Sequence, residues 1–345
     1  MADIVTMGEL LIRLSTVNHN TFSQSGEFQV NYGGGEANVA ASLAKFGHNV
    51  RFVTKLPDNA IADCAINSLH AMYVNTDYIV RGGERMGAYY LETGSSVRPS
   101  RVIYDRKHSS ISEAVSEEFD FNGIFDGVQW LHISGITAGI SEKGANLTEA
   151  FAKEARERNV KISLDINYRG KLWTMEEAAT VMPKLAELAD IVFAGPVDCI
   201  KILGCMDAVG NDTDRAMEDK QAGEQVLRAL ADRYNVKYVI NSQRESISAT
   251  HNIIGARILN GSAGECVYSS RYDVDGIVDR VGGGDALAAG VLSSLAYNYE
   301  DFAGAIEFGA AASALKHTIN GDCNLVSADE VYELMKNGGS GLIKR

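Results

Sequence analysis

The sequence predicts an α/β protein whose central, mostly parallel sheet is covered by helices on both faces. Short apolar runs recur along the 345 residues, apolar at successive positions rather than at alternate ones. Strands buried on both faces require that pattern. Segments with helical periodicity alternate with these runs, as they do in a sheet built from β-α-β units. The chain also holds 34 glycines and only 4 prolines, which supplies tight turns without breaking the elements between them.

The first strand is Ile4-Val5-Thr6-Met7, closed by Gly8. The segment 13–32 is polar, with Phe22, Phe28, Val30 and Tyr32 at even spacing from one another. An Ala-rich helix follows over 37–46 and stops at Gly47, the position where a left-handed residue ends a helix. A strand over 50–54 and a helix over 58–72 resume the alternation. The segment 83–108 breaks it with Met86-Gly87-Ala88-Tyr89-Tyr90-Leu91-Glu92 and Arg101-Val102-Ile103-Tyr104-Asp105-Arg106. Alternation of this kind predicts antiparallel strands with one wet face. With 13–32 they form a small inserted sheet, which must cover a site, pair with another subunit, or both. Strands over 128–133, 160–164, 191–194 and 238–241 then alternate with helices over 142–158, 176–188 and 221–234. The polar stretch 210–219 reads as an exposed loop. The order of the strands in the sheet is not given by the sequence.

Composition narrows the function. Hydrophobic residues at 46% supply a sizeable core, and the formal charge of -13 repels nucleic acid and anionic lipid. An anionic ligand would therefore need a local cluster of Arg and backbone N–H groups. No apolar run reaches the roughly 20 residues of a membrane span. Met1-Ala2-Asp3 lacks the basic region of a secretory signal. The five cysteines, Cys64, Cys199, Cys205, Cys266 and Cys323, form no C-x-x-C pair and are odd in number, as in a reducing compartment. The expectation is a soluble cytoplasmic protein.

Two glycine strings carry the chemistry. Gly282-Gly283-Gly284-Asp285 precedes the apolar run Ala286-Leu287-Ala288-Ala289-Gly290-Val291-Leu292. Glycines at the start of a helix let the backbone close around an anion, and the unpaired N–H groups of the first turn point at it. A carboxylate there repels phosphate unless it has a task, such as taking a proton from an attacking hydroxyl. The fragment alone is equally compatible with a strand-to-helix turn in which Asp285 is the N-cap. The second string, Gly33-Gly34-Gly35-Glu36-Ala37-Asn38, also opens a helix. It is not a dinucleotide fingerprint, because Asn38 stands where the third glycine belongs, which argues against a nicotinamide dehydrogenase. No G-x-x-x-x-G-K-[ST] P-loop is present.

Gly34-Gly35-Glu36-Ala37-Asn38-Val39-Ala40, followed by Leu43-Ala44 and Gly47, resembles the N-terminal signature of the ribokinase, or PfkB-type, carbohydrate kinases. Asp279-Arg280-Val281-Gly282-Gly283-Gly284-Asp285 resembles their C-terminal signature D-T-x-G-A-G-D, with Arg280 in place of Thr and Gly283 in place of Ala. The likeness covers nearly the whole chain. Within the family, Tyr104-Asp105-Arg106, Asp165-Ile166-Asn167-Tyr168-Arg169 with Leu172-Trp173, Arg244-Glu245-Ser246 and Lys316-His317-Thr318-Ile319-Asn320-Gly321-Asp322 resemble the 2-keto-3-deoxygluconate kinases.

The resemblance implies a ribokinase-like fold with a large domain over 1–12, 33–82 and 109–345 and a β-sheet lid over 13–32 and 83–108. It implies ATP-dependent phosphorylation of the terminal hydroxyl of a sugar acid. Asp285 would be the base, and Gly282, Gly283 and Gly284 would hold the transferring phosphoryl group. Gly34, Gly35, Asn38, Tyr89, Tyr104, Arg106, Asn167 and Arg169 would line the sugar site, with Asp285 between sugar and phosphate. Arg106 and Arg169 suit a substrate carboxylate in an otherwise acidic protein, although either alone is compatible with a surface ion pair. Tyr89 suits core packing of a lid strand as well as a sugar contact. Asn241, Ser242, Arg244, Gly282, Gly284 and His317 would meet the nucleotide, and Asp198 the Mg2+ water shell. A monovalent cation is a further cofactor candidate, and pairing of lids a route to a homodimer. Two departures fall on the nucleotide and metal side. Gly195-Pro196-Val197-Asp198 replaces N-x-x-E, and Asn241-Ser242-Gln243 replaces the usual Thr-Leu before Arg-Glu-Ser. A kinase for a neutral sugar such as fructose or ribose, and a sugar-binding regulator that lost the chemistry, are the rival readings.

Overall fold

The computed structural model of the chain describes residues 1–338. The strands are β1 (Asp3–Met7), β2 (Leu11–Thr16), β3 (Phe28–Gly33), β4 (Asn49–Val53), β5 (Lys55–Leu56), β6 (Val80–Arg81), β7 (Gly87–Glu92), β8 (Arg101–Asp105), β9 (Trp130–Ser134), β10 (Lys161–Asp165), β11 (Ile191–Phe193), β12 (Tyr238–Ser248), β13 (His251–Asn260), β14 (Glu265–Tyr268) and β15 (Tyr272–Asp275). The helices are α1 (Gly35–Lys45), α2 (Ala60–His70), α3 (Phe121–Phe125), α4 (Gly135–Ala138), α5 (Glu142–Glu157), α6 (Met175–Ala186), α7 (Pro196–Lys201), α8 (Thr213–Glu218), α9 (Lys220–Tyr234), α10 (Gly283–Tyr297), α11 (Phe302–Lys316) and α12 (Ala328–Asn337).

The main sheet has the order β14-β13-β12-β11-β10-β9-β1-β4, and β15 pairs with β13. The strands from β12 to β4 run parallel. β13 is antiparallel to β12, β14 and β15. Alternate residues of each parallel strand enter two different cores. Val5, Met7, Leu131, Ile133, Ile162, Leu164, Val192 and Val239 face α5, α6 and α9. Ile4, Trp130, Ile191, Phe193, Tyr238 and Ile240 face α1, α2, α10 and α11. Burial on both faces is why these strands read as continuous apolar runs.

The small sheet has the order β3-β2-β7-β8. It differs from the expected antiparallel arrangement at its centre. β2 and β7 are parallel, and only the outer pairs β2–β3 and β7–β8 are antiparallel. A long connection through α1 and α2 separates β3 from β7, and that length permits a parallel pairing that a hairpin forbids. Leu11, Tyr89 and Leu91 form a small buried cluster with Val102 and Tyr104 on one face.

Two segments went beyond the expectation. Residues 242–248 extend β12 past the sheet as exposed, mostly polar strand, paired to β13. Without an apolar run they carry no strand signal. The stretch 210–219 is not all loop, because α8 forms within it, capped by Asp212 accepting from the Arg215 N–H at 2.9 Å. Both segments are held by pairing or capping rather than by apolar periodicity.

α10 and α11 pack closely because Gly290 and Gly309 face each other. A Cβ at Gly290 would lie 2.7 Å from the Gly309 Cα. Gly290→Ala therefore forces the two helices apart. It should destabilise by about 1–3 kcal/mol, the usual cost of overpacking. The midpoint of urea unfolding should fall with an unchanged slope.

Candidate active site

The parallel strands end on one edge of the sheet, and side chains for a site collect there. Glu9 follows β1, Ser134 ends β9, Asp165 ends β10 and leads to Asn167 and Arg169, Asp198 follows β11, and Asn241 to Arg244 lie on β12. Strand order reverses around β1, with β4 on one side and β9 on the other. A crevice at such a switch point is the usual ligand site of an open α/β sheet. Here it is a cleft of about 1170 Å³. The small sheet forms one wall through Leu11, Tyr89, Val102 and Tyr104.

Every candidate position named from the sequence lines this cleft: Gly34, Gly35, Asn38, Tyr89, Tyr104, Arg106, Asn167, Arg169, Asp198, Asn241, Ser242, Arg244, Gly282, Gly283, Gly284, Asp285 and His317. The two glycine turns meet in it. Asn38, in the first turn of α1, donates from Nδ2 to Asp285 Oδ2 at 2.7 Å, and Asp285 lies in the first turn of α10. Two helix N-termini thus face one space, each with unpaired N–H groups and the positive end of its dipole.

At Gly34, Gly282 and Gly283 the surroundings leave no room for a side chain. Gly282 caps α10 at φ 83, and a Cβ there would strike the Asp322 carbonyl oxygen. A Cβ at Gly34 would strike the Glu9 carbonyl oxygen, and one at Gly283 the His317 ring. Asp285 is not the N-cap, since Gly282 holds that position and no side chain caps the helix. The Asp285 carboxylate is thereby left to face the cleft and Asn38.

Burial sets the charge states. It pushes Asp285 up to about 6, against the Asn38 hydrogen bond and the Arg169 charge, which hold it down. It pushes Asp165 up to about 7, and the Asp285 charge adds to this. Asp198 is raised by burial too, although Gly195 N–H donates to its Oδ2 at 3.1 Å. Glu36, fully buried in the first turn of α1, is pushed up to about 7 and accepts from the hydroxyls of Ser134 and Thr137 at 2.7 and 2.8 Å. His317 is pushed down to about 4 by burial and is neutral near pH 7. Its Nδ1 donates to the Ser313 carbonyl at 2.7 Å, so its buried Nε2 is an acceptor.

The two arginines differ. Arg106 is buried and binds Glu9 through Nε at 2.7 Å and through a terminal nitrogen. It is thus half of a buried ion pair, not a free guanidinium, and its ring neighbour is Tyr104. Arg169 is exposed at the cleft and donates to the Tyr168 carbonyl at 3.3 Å. Among the described residues it has no carboxylate within ion-pair distance. Asn167, at φ 39, donates from its backbone N–H and Nδ2 to Asp165 at 3.0 and 3.2 Å, which turns the chain back toward the cleft. Tyr89 donates to Asp322 Oδ2 at 2.6 Å, so its hydroxyl is already engaged. Asn241 accepts from Arg257 Nε at 3.0 Å.

Several cleft residues were not found from the sequence. Asp165, Glu9 and Arg257 line the space, as does Arg280, where the family signature has Thr. Asp165 opens one of the strings that carry the family resemblance, but a strand-end carboxylate looks the same in sequence whether it is buried or solvated, so no site role was read for it. Arg280 was visible only as a departure. Its guanidinium and that of Arg169 lower the Arg244 pKa after burial does, so three cations crowd one part of the cleft. Among the described residues no group of three or more His, Cys, Asp or Glu is set to hold a metal by itself.

The chain matches known proteins along its length. The model of the pfkB family of carbohydrate kinases matches residues 1–204. A 2-dehydro-3-deoxygalactonokinase of Haloferax volcanii is 29% identical over 341 residues, covering 99% of each chain. A 2-dehydro-3-deoxygluconokinase of Bacillus subtilis is 25% identical over 325 residues, covering 93% of this chain and 91% of the relative. The crystal structure of the Thermotoga maritima 2-dehydro-3-deoxygluconokinase superposes with a TM-score of 0.91 at 42% identity, over 98% of this chain and 100% of that one. With two glycine-opened helices joined over the cleft at the strand ends and this match along the chain, the protein belongs to the PfkB family of carbohydrate kinases.

Proposed function

We propose that the protein transfers the γ-phosphoryl group of ATP to the terminal hydroxyl of a sugar acid, 2-keto-3-deoxygluconate being the substrate the site fits best. The observation that carries this is the Asn38–Asp285 contact between the two helix N-termini, with the exposed Arg169 beside it. Carbohydrate kinases of this family take the phosphoryl group from ATP. The sugar acid lies under the small sheet, among Gly34, Gly35, Asn38, Tyr104 and Asn167, with its carboxylate on Arg169 and the Arg106 edge of the cleft. A bidentate guanidinium matches a carboxylate and gives a neutral sugar no equal partner. Tyr89 contributes its ring, since its hydroxyl belongs to Asp322.

Asp285 takes the proton of the attacking hydroxyl as the oxygen closes on phosphorus. Asn38 holds the Oδ2 of that carboxylate and leaves Oδ1 for the proton. The N–H groups of Gly282, Gly283 and Gly284 receive the charge that grows on the phosphoryl oxygens, and they are oriented before the reaction starts. Asn241, Ser242, Arg244 and His317 flank the nucleotide, and the small sheet excludes water. The cleft fits Mg2+, because this ion takes one or two carboxylates and fills its remaining positions with phosphate oxygens and waters. Asp198 is the carboxylate that would hold its water shell, and the ion would neutralise phosphate charge. A monovalent cation belongs to the same expectation, read by activity in potassium against tetramethylammonium salts.

The chain divides, on this proposal, into a large domain of 1–12, 33–82 and 109–345 and a lid of 13–32 and 83–108; residues 339–345 lie outside the described ones. A homodimer through the lids follows from its outer face. Val30, Leu14, Tyr90 and Ile103 form one cross-strand row there, with Val30 52% and Ile103 53% exposed and Phe28 beside them. A two-fold partner is the simplest cover for such a row. A cytoplasmic location is part of the same proposal. No described helix is long and apolar enough to cross a membrane, and no disulfide joins the five cysteines.

ADP release with and without a panel of sugar acids tests the reaction. Asp285→Asn should lower kcat by at least about 10²-fold with KM values nearly kept. In the wild type kcat/KM should fall on the acid side of about pH 6, because the raised Asp285 carboxyl must be ionised to act as a base. Turnover of Asp285→Asn within a few-fold of wild type overturns the assignment. Arg169→Ala should raise the sugar-acid KM by roughly 10- to 150-fold, the worth of a charged hydrogen bond, and leave the corresponding sugar alcohol unaffected. Equal weakening of both ligands would assign Arg169 to the fold. Val30→Lys should convert a dimer to a monomer in light scattering at micromolar concentration, and a monomeric wild type ends the dimer proposal alone.

A further inference from the structure

Lys316 is 0% exposed, among the largest fully buried side chains in the molecule. It is the last residue of α11. Its ammonium donates to the carbonyl oxygens of Asp279 and Ile319, each at 3.2 Å. Asp279 stands three positions before Gly282. Its carboxylate accepts from the N–H groups of Val281 at 3.0 Å and Gly321 at 3.1 Å, and pairs with Arg13. Arg13 also pairs with Asp322, which holds the Tyr89 hydroxyl. Two cations and two carboxylates therefore balance in a cluster closed to water.

The cluster lies directly behind the glycine turn. The main chain of Gly282 is pressed against the Asp322 carbonyl, and a Cβ there would also lie 3.3 Å from Lys316 Cε. The main chain at Gly282 is thus backed by the Asp322 carbonyl and the Lys316 chain together, and that of Gly283 by the His317 ring. Burial lowers the Lys316 pKa, while the Asp279 and Asp322 charges act to raise it. A buried ammonium without such partners would shed its proton.

We propose that Lys316 is a positioning residue for phosphoryl transfer, its ammonium acting as a built-in cation that ties the Asp279 and Ile319 carbonyls together and so orients the N–H groups of the Gly282–Gly284 turn. This rests on the reading of that turn as the phosphate site. Lys316 is not part of the cleft lining, and its ammonium donates to the backbone behind the turn, so it acts on sugar and nucleotide only through that turn. Without it, two carbonyls lose their partner and the cluster keeps one uncompensated negative charge where phosphate must approach. A purely structural lysine would change stability and leave the chemistry of the folded protein alone.

The test is chemical rescue. Lys316→Ala leaves a slot the size of propylammonium, lined by the two carbonyls. In the folded variant kcat should fall by about 10²-fold, as when an oxyanion donor is lost. The sugar-acid KM should change little. Added propylammonium should restore kcat by about tenfold or more, and tetramethylammonium, which has no N–H to donate, should not. Binding of inorganic tripolyphosphate, read by calorimetry, should weaken in the variant and recover with the same amine. That second readout needs no kinase activity. A wild type that binds tripolyphosphate but phosphorylates no sugar acid overturns the reading of the preceding subsection and leaves this inference tested by binding. Where Lys316→Ala does not fold, Lys316→Met keeps the length and apolar volume of the chain and should show the same losses. Activity and tripolyphosphate binding within about threefold of wild type overturn the proposal, as does a loss in folded Lys316→Ala that no amine reverses. Failure of both variants to fold also overturns it, by assigning Lys316 to the fold alone.

Discussion

Two residues 247 positions apart in the chain are joined by one hydrogen bond, from Asn38 Nδ2 to Asp285 Oδ2. The bond matters because of where it sits, between the first turns of two helices whose N-termini both lack backbone partners. α1 and α10 pack side by side, and both are nearly all buried. The glycines that cap them pack against neighbouring backbone too closely for a side chain. Gly34 lies on the Glu9 carbonyl, and Gly282 takes a left-handed conformation against Asp322. The site depends on this constraint: remove the close approach, and the carboxylate of Asp285 no longer faces the space both helices open onto.

A second constraint is electrostatic. The protein carries a formal charge of -13 and must bind an anion. Arg169, Arg244 and Arg280 gather in one part of the cleft and give an anion a local cluster of positive charge on an otherwise acidic molecule. Burial raises the pKa of two carboxyls in the cleft, Asp165 and Asp285, so their charge is less firmly held than that of a solvated carboxylate. The same burial brings Asp285, the proposed base, to about 6, close to neutral pH.

The small sheet is fastened rather than hung. Arg13 on β2 and Tyr89 on β7 both reach Asp322, and Arg13 reaches Asp279. The small-sheet wall of the cleft and the Gly282–Gly284 turn therefore share one buried cluster. Removing one partner strands the others without water, so the positions of wall and turn are set together. Arg106 does the same at the other end of the wall, where it holds Glu9 at the end of β1.

The sequence by itself determined the α/β class, the main helices, the parallel strands and both glycine turns, because each is written locally as a run, a period or a turn residue. It also determined which residues would meet, since the string at 34–38 and the string at 279–285 are each specific to one family. What it left open required distance. Whether Arg106 is a free clamp or the partner of Glu9, whether the Tyr89 hydroxyl faces a ligand or Asp322, and whether Asp165 and Lys316 are solvated or sealed are not properties of those residues. The parallel pairing of β2 with β7 was undecided for the same reason. Only the tertiary structure settled these points, because burial and pairing arise between segments that are far apart in the chain, and a charged side chain carries no local mark of the partner that will neutralise it.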